Sequence, residues 1–355
     1  MPYTAYIRRR IFGVLAATIV VMTVIENAST MMTTRATMTT LPPVLYSDNG
    51  TDIDLREIFI GRCADFKAGR VNPTVDLNEL SMKNCTHLWN LFHSTFKYRE
   101  ACNVTRPMYK EFVAEAAITI PTNKSAFWDG WTIYDTVHSY AKEGRRSWSL
   151  EYTLMGYLIN NLKFCGQEEE PGLRYDSCPG PDECGFAKGC ADAFWAEASI
   201  NFAKQAKGQV RVFFDSNREG GAFHNNNSYF AQYELINMDP DAVENVNIYL
   251  VTELETNSGD NCTSPSIQEL IGILKEKNIR YTCYEQPRDV LHLLCIDGNE
   301  SDECILQKDA LVSPTDVALP LTTSSSSRTH NAISISFQVL IVIFVGFTHR
   351  VLHNT

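Results

Sequence analysis

Apolar residues in the first half of the chain recur at three- and four-residue spacing, the signature of helices with one buried face. Leu55–Lys67 and the segments 84–96 and 106–117 follow this pattern. Segment 149–164 repeats it, with Leu150, Leu154, Tyr157, Leu158 and Leu162 on one face, and 191–207 places Phe194, Trp195, Ala198 and Phe202 on one side. Beyond residue 208 the period changes. Segment 209–214 is a strand by its β-branched and aromatic content, and 229–236 and 246–251 read as further strands. Ser266-Ile267-Gln268-Glu269 has the form of a capping box opening a helix that runs to residue 277, and 279–283 follows as a strand. Strand, helix and strand at this spacing imply a small parallel unit. The expected fold class is therefore α/β (α+β mixed). A helical subdomain, mainly 50–120 and 149–207, packs on a small parallel-sheet α/β subdomain, mainly 121–148 and 208–305, with a site in the cleft between. There is no internal repeat.

The ends of the chain read differently. Arg8-Arg9-Arg10, an apolar run over 11–25 and the small residues after it describe a secretory signal peptide over 1–28, with an uncleaved anchor as the alternative. Residues 29–45, rich in Thr and Met, and 306–331, rich in Ser and Thr, read as flexible stalks. The apolar tail within 332–355 is short for a membrane span and fits a GPI-attachment signal, with a short span flanked by His349-Arg350 as the alternative. The expected location is the extracellular face of the cell, held to the membrane by a lipid anchor.

A formal charge of −11 provides no basic footprint for nucleic acid. In an exported chain the eleven cysteines are expected to be mostly disulfide-bonded, with one left over. None of their spacings is C-x-x-C and no His-x-x-x-His accompanies them, so neither a zinc site nor any other metal is expected. Eight sequons, at Asn27, Asn49, Asn84, Asn103, Asn123, Asn226, Asn261 and Asn299, agree with export.

G-x-G-x-x-G, P-loop, G-x-S-x-G and H-E-x-x-H motifs are all absent, and the eight histidines show no triad spacing. What remains is carboxylates beside aromatics: Glu151 and Glu234 with Trp128 and Trp195. That set suits cleavage of a glycosidic bond to a flat cationic base, a reaction that needs neither metal nor general acid. A fixed carboxylate stabilises the oxocarbenium ion, and aromatic faces hold the planar leaving group by stacking and cation–π attraction. Each residue also has a plainer reading. A tryptophan on a helix face is commonly core, a glutamate at a helix start is a favourable N-terminal charge, and Glu234 within a strand fits an edge position.

Several motifs in order tie the chain to a family. They are Leu150-Glu151-x-Thr153-Leu154-x-Gly156-Tyr157-Leu158, then Leu162-x-x-Cys165-Gly166, Ser177-Cys178-Pro179, Phe194-Trp195 with Ser199, and Asn227-Ser228-x-Phe230-x-x-x-Glu234. With Asn123-Lys124 before Trp128, they make residues 61–304 resemble the ADP-ribosyl cyclase / NAD glycohydrolase family. The resemblance implies an ecto-enzyme that splits NAD(P)+ into nicotinamide and ADP-ribose, with NAD as substrate and no cofactor. It implies Glu234 as the catalytic carboxylate and Trp128 and Trp195 as flanks of the nicotinamide end. Glu151 would contact nicotinamide and bias hydrolysis against cyclisation, while Ser199 and Phe230 would lie at the ribose and phosphate region. It further implies a homodimer and the bridges Cys63–Cys85, Cys165–Cys178, Cys262–Cys283 and Cys295–Cys304. Cys102 would pair with Cys184 in preference to Cys190, leaving one thiol free or linking two chains.

The chain also departs from the family. Gly130 replaces an arginine of vertebrate members, so a phosphate grip must differ or come from Arg145, Arg146 or Arg218. Asn160 replaces an acid, and Thr122 a cysteine whose partner near Ala206 is missing too. Tyr229 stands where hydrolytic members have threonine and a mollusc member an aromatic, which bears on the product ratio. Three functions are carried forward: the glycohydrolase with cyclase activity as its runner-up, a catalytically silent surface receptor, and a cysteine hydrolase using the odd thiol.

Overall fold

The computed structural model describes residues 50–305, except Asn227, 257–258 and 298–299. The leader read at 1–28, the stalks at 29–45 and 306–331, the tail at 332–355 and the sequons at Asn27, Asn49 and Asn299 lie outside the described residues. Among the described residues no helix is long and apolar enough to cross a membrane.

The chain opens with helices α1 (Leu55–Lys67), α2 (Leu77–Ser81) and α3 (Cys85–Phe96). Asp76 and Asn84 cap α2 and α3, their side chains accepting from the backbone N–H of Asn78 and His87. A 3-10 turn at Arg106–Tyr109 leads into α4 (Lys110–Ala116), and strand β1 (Ala126–Asp129) precedes α5 (Tyr134–Ala141). Then come a 3-10 turn (Leu150–Tyr152), α6 (Leu154–Ile159), the single turn α7 (Pro181–Cys184) and α8 (Cys190–Lys204). Strand β2 (Gly208–Asp215) is followed by a π-helical turn (Phe230–Glu234), β3 (Val243–Val251), α9 (Pro265–Glu276), β4 (Tyr281–Glu285) and α10 (Arg288–Asp297).

The four strands are all parallel, in the order β1-β2-β3-β4. One continuous apolar cluster joins α1, α3, α4, α6 and α8 to a face of this sheet and to α9. A smaller cluster behind the other face holds Val137 and Tyr140 of α5 against Phe213 of β2 and Val290 of α10. Helices thus cover both faces, as a parallel sheet requires. The helical and α/β halves share a core.

Five sequence expectations need correction. Segment 229–236 is no strand. Ser228 Oγ accepts from the Ala231 N–H and the Leu235 N–H bonds back to the Phe230 carbonyl, closing a π turn that a 3-10 turn at Leu235–Asn237 continues. The aromatic content that suggested a strand serves packing instead, since Phe230 fills the core against Phe127, Phe214 and Phe223. One edge of the sheet is the four-residue β1, too short to show a period. Segment 149–164 is not one helix. It breaks at the extended Thr153, whose Oγ1 accepts from the Gly156 N–H and donates to the Leu150 carbonyl. The helix after β3 starts earlier than the box implied, with Ser264 at the N-cap position but no side-chain cap bond and Pro265 first, and Ser266 Oγ donates to Asp260 instead of forming a box. Lastly, 106–117 begins as a 3-10 turn, and the final strand starts two residues later than expected, at Tyr281.

Five disulfides form: Cys63–Cys85, Cys102–Cys184, Cys165–Cys178, Cys262–Cys283 and Cys295–Cys304. The Cys102–Cys184 bridge closes 82 residues, worth about 4.5 kcal/mol if it acts by restricting the unfolded chain. Cys190 is free and buried, and burial pushes its thiol up to about 12. A thiol so placed is not available at the surface to link two chains.

The break before α6 depends on a bare backbone. A Cβ on Gly156 would sit 2.0 Å from the Leu150 carbonyl oxygen. Gly156→Ala should therefore destabilise the protein by about 1–3 kcal/mol or more, read from the midpoint of urea unfolding. An unchanged midpoint would show that the turn carrying Glu151 does not need this contact.

Candidate active site

The carboxyl ends of β1 and β2, the turn before α6, one face of α8 and the π turn converge on one cavity of about 820 Å³. Ligands of open α/β sheets bind outside the carboxyl ends of the strands, and this cavity lies there. All seven sequence candidates line it: Trp128, Glu151, Trp195, Ser199, Tyr229, Phe230 and Glu234.

Glu234 is 7% exposed, and Ser199 Oγ on α8 donates to its Oε1 at 2.9 Å. Burial pushes its carboxyl well above the usual range. The Ser199 hydrogen bond opposes that rise, and the nearby Glu151 and Asp129 add to it. Glu151 is as deeply buried yet shifts the other way. Burial alone would raise it, but the His138 imidazole, 3.7 Å from Oε2, and Ser149 outweigh that and hold it low. Trp128 Nε1 donates to Glu151 Oε1 at 3.3 Å, which fixes the indole against the acid. Trp195 is half-buried, next to the core residue Phe194. Tyr229 donates to Asp192 Oδ1 at 2.8 Å and packs on Phe186, so its ring is pinned to the wall.

His138, which faces Glu151, had no clear mark in the sequence. It packs between Tyr134 and Tyr152, its ring tilted to both. Asn160, the replaced acid, donates to the Tyr134 hydroxyl at 2.8 Å. Of the three candidate arginines only Arg218 lines the cavity. Arg145 pairs with Glu143, and Arg146 lies over the Tyr140 ring. Arg218 Nη1 meets Asp129 Oδ1 at 3.0 Å, and burial raises the Asp129 carboxyl against that attraction. Its Cδ passes 3.6 Å from where a Cβ on Gly130 would stand, so it lies over the bare backbone left by the missing arginine. Cys190 is not among the lining residues, and a buried thiol pushed so high is a poor nucleophile. Among the described residues no group of three or more His, Cys, Asp or Glu side chains is placed to hold a metal ion.

Chemically, the cavity offers a desolvated carboxyl in a wall that also carries two tryptophans. The second acid is held ionised beside an indole N–H. This arrangement suits a cationic planar group.

A family model described as ADP-ribosyl cyclase matches residues 52–304. An ADP-ribosyl cyclase/cyclic ADP-ribose hydrolase of Aplysia kurodai is 33% identical over 258 residues, covering 72% of this chain and 88% of its own. The Homo sapiens ADP-ribosyl cyclase/cyclic ADP-ribose hydrolase 2 is 31% identical over 265 residues, covering 75% and 80%. Among solved structures, Aplysia cyclase complexed with substrate NGD and product cGDPR aligns with TM-score 0.65 at 33% identity, over 72% of this chain and 98% of that one. Apo porcine CD38 aligns with TM-score 0.57 at 27% identity, over 67% and 97%.

The raised carboxyl of Glu234 has a signed consequence for stability. The fold favours its neutral form, so its contribution is present below the ordinary carboxylate range and is lost as pH rises through the raised pKa. Glu234→Gln keeps an acceptor for Ser199 and removes that loss. Its thermal midpoint should match the parent's in acid and exceed it at neutral pH. A midpoint below the parent's at both would contradict this account.

Proposed function

The chain belongs to the ADP-ribosyl cyclase family, and from that premise we propose that it is an extracellular NAD(P)+ glycohydrolase. The observation that carries the reading is the buried Glu234 carboxyl, held by Ser199 in a cavity walled by Trp128 and Trp195. In the proposed reaction the bond from the ribose anomeric carbon to the nicotinamide nitrogen breaks, and its electron pair leaves with nicotinamide. The pyridinium is held between the indoles, with its carboxamide facing Glu151. As the cationic substrate enters, its charge favours ionisation of Glu234, which then stabilises the oxocarbenium ion from close range. Water adds to the anomeric carbon and gives its proton to Glu234, whose burial suits it to accept one. ADP-ribose and nicotinamide are the products.

Cyclisation is the second reading, favoured by the names of the relatives, which carry both cyclase and hydrolase activities. It differs in one step: the adenine nitrogen of the same substrate takes the place of water. Tyr229, tied to Asp192 at the wall, is the proposed influence on that choice. A silent receptor would have no need to keep a desolvated acid paired with a serine. The proposed setting is the cell surface, through a GPI anchor and with a homodimer as the assembly. The five disulfides support an oxidising compartment.

Product chromatography after incubation with NAD tests the reading. The protein should yield nicotinamide and ADP-ribose, and Glu234→Gln should lose at least about 10²–10³-fold in rate. Predominant cyclic ADP-ribose would promote the second reading, and no turnover by the correctly bridged protein would sink both. The pH profile provides a separate check. The ionised form works, so kcat/KM should fall on the acid side with a limb above the ordinary carboxylate value of about 4.3. The kcat limb should lie lower, because bound substrate favours the carboxylate. Coincident limbs near the ordinary value would remove Glu234 from this role.

A further inference from the structure

Trp131 is 83% exposed, the highest exposure among the large apolar side chains of the described residues, yet it lines the cavity. A lone exposed indole is ordinary on a surface, but this one lines the cavity and so offers an aromatic face to whatever enters it. Its position is fixed. It opens a 3-10 turn, Trp131–Ile133, directly after Gly130 at the carboxyl end of β1. Thr132 Oγ1 ties that turn to the end of β2 through Asp215 Oδ2 at 2.5 Å. The ring meets Trp128 edge-on at 5.6 Å and Tyr134 at 6.2 Å, contacts that orient it while leaving most of it open. A pre-oriented aromatic surface loses little entropy when it binds a flat ligand.

Charge supplies the second observation. Among the described lining residues Arg218 is the single basic side chain, against the six acids Asp129, Glu151, Asp192, Asp215, Glu219 and Glu234. A ligand carrying phosphates has one cation to meet here. Arg218 lies over Gly130, the residue before Trp131, and is 23% exposed. Its contact with Asp129 uses Nη1 and leaves other guanidinium N–H groups for a second anion.

Resting on the nucleotide reading above, we propose that Trp131 and Arg218 form a distal subsite that holds the far half of a dinucleotide. Trp131 stacks on the second base, and Arg218 bonds the diphosphate. Stacking accepts the face of any base, so this subsite selects dinucleotides over mononucleotides without selecting adenine. It also leaves the far ribose without a specific partner, in keeping with entry of both NAD and NADP.

The test compares three substrates, NAD, nicotinamide mononucleotide and nicotinamide riboside, on the intact protein and its variants. Trp131→Ala should raise KM for NAD about tenfold or more relative to KM for the mononucleotide, with kcat moving far less, and Trp131→Phe should recover most of the loss. Arg218→Ala should raise KM for NAD and the mononucleotide relative to the riboside. Arg218→Lys, which keeps a cation beside Asp129, should recover part of it and guards against misfolding of the alanine variant. Equal effects of Trp131→Ala on NAD and mononucleotide, or none on either, would overturn the proposal while leaving the glycohydrolase reading intact. If the parent splits none of the three, that reading fails instead, and calorimetry with ADP-ribose decides the subsite. Weaker binding by Trp131→Ala would support it and unchanged binding would overturn it.

Discussion

Glu234 holds a carboxyl group 7% exposed with a single side-chain hydrogen bond, from Ser199. Taking such a group out of water costs free energy that one hydroxyl does not return. It stays there because the two elements that carry the pair are locked by packing. Phe230 fastens the π turn to β1 and β2 through Phe127 and Phe214. Helix α8 buries Phe194 against Tyr109 and Phe112, and the Cys102–Cys184 bridge binds the segment before it to the helical half. The shared core thus holds the two halves in register around one desolvated acid.

The cavity sets two acids to opposite tasks. Glu151 and Glu234 are about equally buried, yet one is held low and the other pushed high. The difference lies in their partners. A histidine faces Glu151 and an indole N–H meets it, whereas Glu234 has a neutral hydroxyl and two neighbouring acids. Opposed shifts in neighbouring titratable groups are a mark of divided chemical roles. In the proposed reaction, a Glu151 held low suits recognition of a cationic ring with a carboxamide. In the same proposal, an acid that ionises as substrate arrives suits a transient cation.

Much of the fold could be read from periodicity where segments were long. Helices α1, α3 and α8 and strands β2 and β3 all show a clear repeat in the sequence, because each buries one face against a continuous core. Short elements left no such trace. Strand β1 has four residues and α6 six. The π turn was misread because Tyr229, Phe230 and Tyr233 resemble the aromatic content of a strand, while the hydrogen bonds that close the turn involve one serine hydroxyl and one backbone pair.

Residue types alone identified the acids and indoles, and the order of motifs around them identified the family, since chemistry at an anomeric carbon needs those groups in whatever fold presents them. Alone, the chain could not say which arginine reaches the cavity, that Cys190 is sealed away, or that Trp131 stands open at the rim. Those outcomes depend on contacts between residues far apart in the chain: Arg218 over Gly130, His138 facing Glu151, Ser199 against Glu234. Local pattern encodes which face of an element avoids water. The approach of two faces, and the dielectric between them, exists only once the chain has closed on itself.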